Sequence, residues 1–210
     1  MDRLSRLNFA FSVSDNGIGP EGAKIFAEML CVNTSLKSIH LSSNWICAEG
    51  SGGAVALAKA LEVNASITIL DLSDNGIGNE GAVAIAKALE VNASMTSIDL
   101  SSNALCGLSW NFSSERYDGT YDATGIKAIA EALNVNSSMN KLSVLSNFIG
   151  TEGGQALVDA APPQLQTFCG FEEGQTEANL SDKDLGVGDA VLLAWELTTG
   201  YVSTSMKSLK

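Results

Sequence analysis

SITILDLSDNGIGNEGAVAIAKALEVNA, residues 66–93, is the stretch whose reading decides the fold. Ile67, Leu70 and Leu72 alternate with Ile69, Asp71 and Ser73, the pattern of a short strand with one face buried and one face outward. The chain then turns at Asn75. Ala82, Ile85, Ala86 and Leu89 follow at i, i+3, i+4 and i+7, a single apolar helical face. Alanine on that face lets neighbouring helices approach closely. Asn92 closes the helix and reads as a residue that tolerates the left-handed backbone of a helix terminus.

The same frame recurs outward from this stretch. It restarts as SMTSIDLSSNALCG at Ser94, appears earlier as NFAFSVSDNGIGPEGAKIFAEML from Asn8 and as SLKSIHLSSNWI from Ser35, and later as SMNKLSVLSNFIGTEGGQAL from Ser138. One position anchors each copy: Asn16, Asn44, Asn75, Asn103 and Asn147, with gaps of 28, 31, 28 and 44 residues. The unit is therefore 28 residues, with insertions of 3 and 16. An asparagine at this place can hydrogen-bond its own turn and the next repeat, forming a ladder that satisfies amides a curved stack would otherwise bury unpaired. No single unit can bury its own apolar side, so stability must come from stacking.

On these residues the chain resembles the leucine-rich-repeat family, in the long-repeat class of ribonuclease inhibitor, Ran GTPase-activating protein and the repeat domains of NOD-like receptors. The resemblance spans about residues 7–170. It implies an α/β fold, a right-handed horseshoe solenoid with parallel strands on the concave face and helices on the convex face. Residues 1–170 are expected to form this solenoid, interrupted by an insertion at about 106–122. Residues 171–210 read as an irregular further repeat, with Ala190, Leu193, Ala194 and Leu197 as its helical face. LQTFCGF after Pro162 and Pro163 reads as a strand. The closing STSMKSLK copies the start of another repeat, so the chain reads as a fragment with an uncapped last edge.

Composition narrows the function. With 45% hydrophobic residues the chain can build a core, and with 6% aromatics the interior must be aliphatic. Net charge is −12, which argues against a nucleic-acid partner, because phosphate binding needs clustered Lys and Arg. Cys31, Cys47, Cys106 and Cys169 show no metal spacing and read as free thiols in a reducing compartment. No signal peptide or membrane-length apolar run is present, so a cytoplasmic location without membrane contact is expected.

Several motifs imitate chemistry. GIGNEG at Gly76–Gly81 matches a dinucleotide fingerprint, yet GIGPEG at Gly17–Gly22 repeats it, and in the repeat register Ile77 and Ile18 are core and the glycines are turn residues. Asp182–Leu193 begins like a calcium loop but ends in Leu193 where a bidentate Glu is needed. Glu172, Glu173, Glu177, Asp182, Asp184 and Asp189 read as a solvated rim. Asn33, Asn64, Asn92 and Asn136 are glycosylation sequons only because one repeat position happens to read N-x-S. His40, the single histidine, has no evident orienting neighbour and reads as an exposed strand residue. No catalytic, cofactor or metal site, and no small-molecule substrate, is expected.

What remains is a surface for holding a protein. The outward columns are Ala10, Ser12, Ser14; Ser38, His40, Ser42; Ile69, Asp71, Ser73; Ser97, Asp99, Ser101; and Lys141, Ser143, Leu145. Candidate contact residues there are His40, Asp71, Asp99 and Lys141. The insertion carries Trp110, Phe112, Arg116, Tyr117 and Tyr121, types enriched at hot spots, and is either a partner anchor or a loop packed on its own scaffold. The expectation is a protein-interaction module. The resemblance also leaves open a GTPase-activating regulator, with Arg116 on the loop, or part of a larger NOD-like receptor.

Overall fold

The computed structural model describes residues 9–111, 114–199, 202 and 204–209. Strands β1 (Phe9–Ser12), β2 (Leu36–His40), β3 (Ile69–Asp71), β4 (Ser97–Asp99) and β7 (Lys141–Ser143) form one all-parallel sheet in that order. Helices α1 (Gly19–Val32), α2 (Gly52–Val63), α3 (Gly78–Val91), α4 (Thr124–Val135) and α5 (Gly150–Ala160) return the chain between them. The insertion is an antiparallel hairpin of β5 (Leu108–Asn111) and β6 (Arg116–Gly119) between β4 and α4. Beyond α5 come β8 (Glu177–Ala178), α6 (Val187–Thr198) and β9 (Ser208–Leu209), with β8 and β9 paired in parallel. The architecture is a leucine-rich-repeat α/β solenoid.

The core lies between sheet and helices. Leu41, Ile67, Leu70, Leu72, Ile98, Leu100 and Leu142 from the sheet side meet Leu57, Leu61, Ile85, Leu89, Ile129 and Leu133 from the helices, all at most 1% exposed. One glycine column sets the helix spacing. A Cβ on Gly81 would come 3.0 Å from the Ala54 Cβ, and one on Gly125 would come 2.8 Å from the Ala82 Cβ. Gly81 is thus a helical packing residue, not the turn residue its motif suggested; Gly76 and Gly78, at φ 65° and 67°, are the turn residues.

Five asparagines line one edge of the sheet. Asn44, Asn75, Asn103 and Asn147 are at most 2% exposed, and each carboxamide oxygen takes two backbone amides from the preceding repeat. Asn75 Oδ1 accepts from the Asn44 amide at 2.9 Å and the Ile46 amide at 3.3 Å, while its Nδ2 donates to the Leu41, Leu72 and Ser73 carbonyls. Asn103 repeats this against Asn75 and Ile77, and Asn147 against Asn103 and Leu105. The side chain reaches backward, where the sequence reading had it reach forward. The reason is geometric: the turn amides of each repeat point toward the repeat that follows.

A second ladder runs along the opposite rim. Asn33, Asn64, Asn92 and Asn136 end their helices with φ between −80° and −78° and ψ between 115° and 123°, extended and not left-handed. Asn64 Oδ1 accepts the Ser66 and Ile67 amides, and its Nδ2 donates to Leu30 and Asn33 carbonyls of the preceding repeat. Asn92 and Asn136 repeat the pattern. Asn is therefore chosen here for its carboxamide, which bonds in both directions, and not for tolerance of an unusual backbone.

Helix α6 differs from its predicted face. Ala190, Ala194 and Leu197 are exposed, while Gly188, Asp189, Leu192 and Glu196 point inward. Asp189 and Glu196, both 0% exposed, hold places that alanine and leucine take in α3. Asp189 is thereby removed from the expected solvated rim. Its Oδ1 accepts the Ser146 amide at 3.0 Å and its Oδ2 the Gly186 amide at 2.8 Å. Glu196 Oε2 accepts the Phe168 amide at 3.1 Å, while Oε1 lies buried near Thr167 and Cys169 without a hydrogen bond of good geometry. Among the described residues no further strand of the main sheet covers the Ser146 and Phe168 amides, so the two carboxylates accept them, while the Gly186 amide is the N-cap of α6 itself. The LQTFCGF segment joins that sheet by one bridge, Thr167 to Lys141, and not as a full strand.

Two tests follow. Asn75→Ala leaves two buried amides and two buried carbonyls short of a partner, each worth about 1–3 kcal/mol, so it lowers stability by about 3–5 kcal/mol, whereas Asn16→Ala, on an exposed residue, loses less than about 1 kcal/mol. Denaturant midpoints measure both, and equal losses contradict the ladder's role. Burial raises the Glu196 and Asp189 carboxyls above their ordinary range. A raised folded-state value favours the protonated form, so this contribution is present at acid pH and is lost as pH rises through the raised value. Glu196→Gln is expected to melt above the parent at about pH 7.5 and to lose that advantage at about pH 4. Parallel pH profiles of the two melts refute it.

Candidate functional site

Three surfaces could hold a partner: the concave face, the hairpin, and the rim where strands pass into helices. Strand register sets the concave face. Ala10, Ser38, Ile69, Ser97 and Lys141 form one row, and Ser12, His40, Asp71, Asp99 and Ser143 the next. Ser143 and Leu145 are nearly buried, at 8% and 7% exposure, which removes them from the free surface that their outward alternation suggested. The segment after α5 covers this end, with Gly170 lying against the Ser143 side chain. Lys141 forms an ion pair with Glu172 of the same segment.

His40 has orienting neighbours after all. Its Nε2 lies 2.9 Å from Ser38 Oγ, and its Nδ1 lies 3.6 Å from Asp71 Oδ2. One neighbour is two residues away on the same strand and the other comes through cross-strand register, so a single strand's sequence could not reveal the pair. The outline resembles a hydrolytic relay, but β2 is an interior strand with neighbours on both sides. Its amides are committed to the sheet and leave no oxyanion hole. The arrangement holds the imidazole still beside an acidic strip. Asp99 accepts from Ser101, and burial raises its carboxyl above the usual range, with Ser101 opposing the rise.

The hairpin is clamped to its own scaffold. The Tyr117 ring meets Phe148 edge-on with centroids 4.6 Å apart, and Tyr121 Oη donates to the Ile149 carbonyl at 2.8 Å. Asp122 at its base accepts from Thr124 and from Asn79, which hold its carboxyl below the usual range. Arg116 sits on strand β6, not on a loop, and its Nε lies 3.0 Å from Asp118 Oδ1. Trp110 is on β5, and Phe112 falls outside the described residues.

The rim itself was missed in the sequence. The residues after the ladder asparagines, Gly17, Trp45, Gly76, Ala104 and Phe148, all have φ between 53° and 65°. Trp45 is 69% exposed on this row, in a backbone conformation that glycine takes in two other repeats. A bulky residue in left-handed backbone costs about 1 kcal/mol, and that cost is the signal the sequence offered. Elsewhere, clefts of about 310 and 290 Å³ lie between α4 and α5 and between α2 and α3. Both are grooves between neighbouring helices. Three of the four cysteines are buried, and burial pushes the Cys106 thiol up to about 12. No helix among the described residues is long and apolar enough to cross a membrane.

A family model for the leucine-rich repeat matches residues 10–27, 32–58 and 63–86. Among solved structures, the chain is similar to leiomodin-1 actin-binding site 2, at 24% identity and TM-score 0.55, over 71% of this chain and 77% of that one. It is similar to the tropomodulin C-terminal domain of Caenorhabditis elegans, at 14% identity and TM-score 0.53, over 75% and 85%. It is also similar to the leucine-rich repeat-containing protein LegL7 of Legionella pneumophila, at 19% identity and TM-score 0.52, over 96% of this chain and 55% of that one. No curated protein matches the sequence. The chain thus carries leucine-rich repeats within residues 10–86 and shares the fold of leucine-rich-repeat solenoids over most of its length.

Tyr121→Phe removes one buried-end hydrogen bond, worth about 1 kcal/mol, and frees the hairpin base without unfolding the solenoid. Hydrogen exchange is expected to quicken at residues 108–119 and to stay slow in β2 and β3. Uniform quickening, or none, contradicts a locally clamped hairpin.

Proposed function

We propose that the chain is a protein-interaction module whose main anchor is the hairpin and the rim beside it, with the acidic concave strip of His40, Asp71 and Asp99 as a secondary contact. One observation carries this reading: an insertion of hot-spot residue types projects from a regular solenoid, yet is fixed to it through Tyr117 on Phe148 and Tyr121 on Ile149. A pre-ordered projection loses little entropy on binding, which favours recognition. The solved neighbour titled an actin-binding site supports a protein as the class of partner. At such identity it supplies the fold and not the identity of the partner. Arg116, held to Asp118 on its own strand, gives the GTPase-activator alternative no particular support.

The test replaces residues 106–122 with the shorter connection of the preceding repeat. Circular dichroism checks that the solenoid is intact. Chemical cross-linking in lysate is expected to trap discrete partners with the intact chain and to lose them with the shortened one. Unchanged capture removes the hairpin from the anchor, and absence of any capture by the intact chain removes the interaction role.

A further inference from the structure

The rim that carries Trp45 has an electrostatic character unlike the rest of the molecule. Residues 13–22, 41–51, 72–81, 100–111, 114–124 and 144–153 lie in the turns from strand to helix and in the hairpin. They hold nine carboxylates and one basic side chain, Arg116, where the whole chain has 24 acidic and 12 basic residues. Arg116 is already paired with Asp118. Lys24 and Lys127, one turn into their helices, pair with Glu21 and Glu152 at the two ends of the row, and Lys127 also acts on Asp122. In the middle, Glu49, Asp74 and Glu80 form no ion pair among the described residues. Asp74 and Glu80 instead accept from the Ser43 and Ser51 hydroxyls.

Shape coincides with charge there. Trp45 and Phe148 occupy the same row three repeats apart, with Gly76 and Ala104 between them. Three strand spacings separate the two aromatics, about 14 Å, and the two small residues form a low floor. Trp45 makes one wall, and the Tyr117 ring seated on Phe148 makes the other. An interval of about 14 Å is wide enough for one extended segment, and Glu49, Asp74 and Glu80 stand on the same strand-to-helix turns as the row. Guanidinium groups are attracted both by ring faces and by carboxylates, whereas an acidic or purely apolar segment meets repulsion or stranded charge.

We propose that this notch docks an extended, arginine-rich segment of a partner protein. The proposal rests on the interaction-module reading and names the partner's chemistry. Binding is guided by the field of the rim and anchored by Trp45 and the Tyr117–Phe148 pair.

The probe is a fluorescein-labelled peptide of alternating arginine and leucine, with a glutamate and leucine peptide as its opposite, titrated into the full chain by anisotropy. The arginine peptide is expected to bind, more weakly as salt rises past about 0.1 M, and the glutamate peptide is not. Trp45→Ala, and separately the combined Glu49→Lys, Asp74→Lys and Glu80→Lys, are each expected to weaken binding about tenfold or more. Glu62→Lys, Glu90→Lys and Glu131→Lys together make the same charge change on the far side and are expected to leave it within about twofold. Should a variant fail to fold, nitroxide-labelled arginine peptide on the unaltered chain gives a second reading: broadening confined to amides of residues 45, 76, 104 and 117. Equal loss from both charge reversals, or broadening elsewhere, overturns the notch. If the peptide does not bind while cross-linked partners are still lost on removing residues 106–122, the basic-segment assignment falls and the interaction module stands.

Discussion

Everything in this structure depends on how a carboxamide of asparagine shares itself between two neighbouring repeats. Each buried Asn of the strand rim accepts two amides from the repeat before it and donates to carbonyls of both. The strands are only three residues long in β3, β4 and β7, too short for their own hydrogen bonds to position the loops. The carboxamides do that instead. On the opposite rim Asn64, Asn92 and Asn136 do the same for the helix ends. Between the two lines of amides the aliphatic core is held at a spacing that glycine and alanine contacts between helices permit.

The rim surface is a by-product of the same constraint. Flanking each ladder asparagine, the backbone passes through left-handed conformations on both sides. Where glycine takes the second position the row is low, and where Trp45 or Phe148 takes it a ring stands out. Local backbone demand and surface relief are thus written at the same residues. The hairpin enters beside Ala104 and leans on Phe148, which turns an isolated ring into a wall.

The fold class was legible because the period of apolar and asparagine positions is repeated many times, and repetition averages out local ambiguity. The concave register followed from alternation in each strand. The direction of the carboxamide bonds, the bonding role of the second line of asparagines and the neighbours of His40 were not legible, since each depends on which backbone groups a different repeat presents. Helix α6 shows the limit most sharply. Its apolar residues match a helical face, yet Asp189 and Glu196 turn inward because unpaired amides at the end of the sheet outweigh the preference of a leucine for burial. Trp45 escaped notice because it lies in a turn, outside every periodic pattern.

The backward reach of each carboxamide gives the stack a polarity, as a polymer with unlike ends has. Detaching a repeat from the amino-terminal side leaves an asparagine still bonded to its own carbonyls, as Asn16 is to Val13 and Ser14. Detaching one from the carboxyl-terminal side strips two amides of their acceptors. On that carboxyl-terminal side two buried acids of α6 serve as acceptors of another kind, Asp189 for the Ser146 amide and Glu196 for the Phe168 amide.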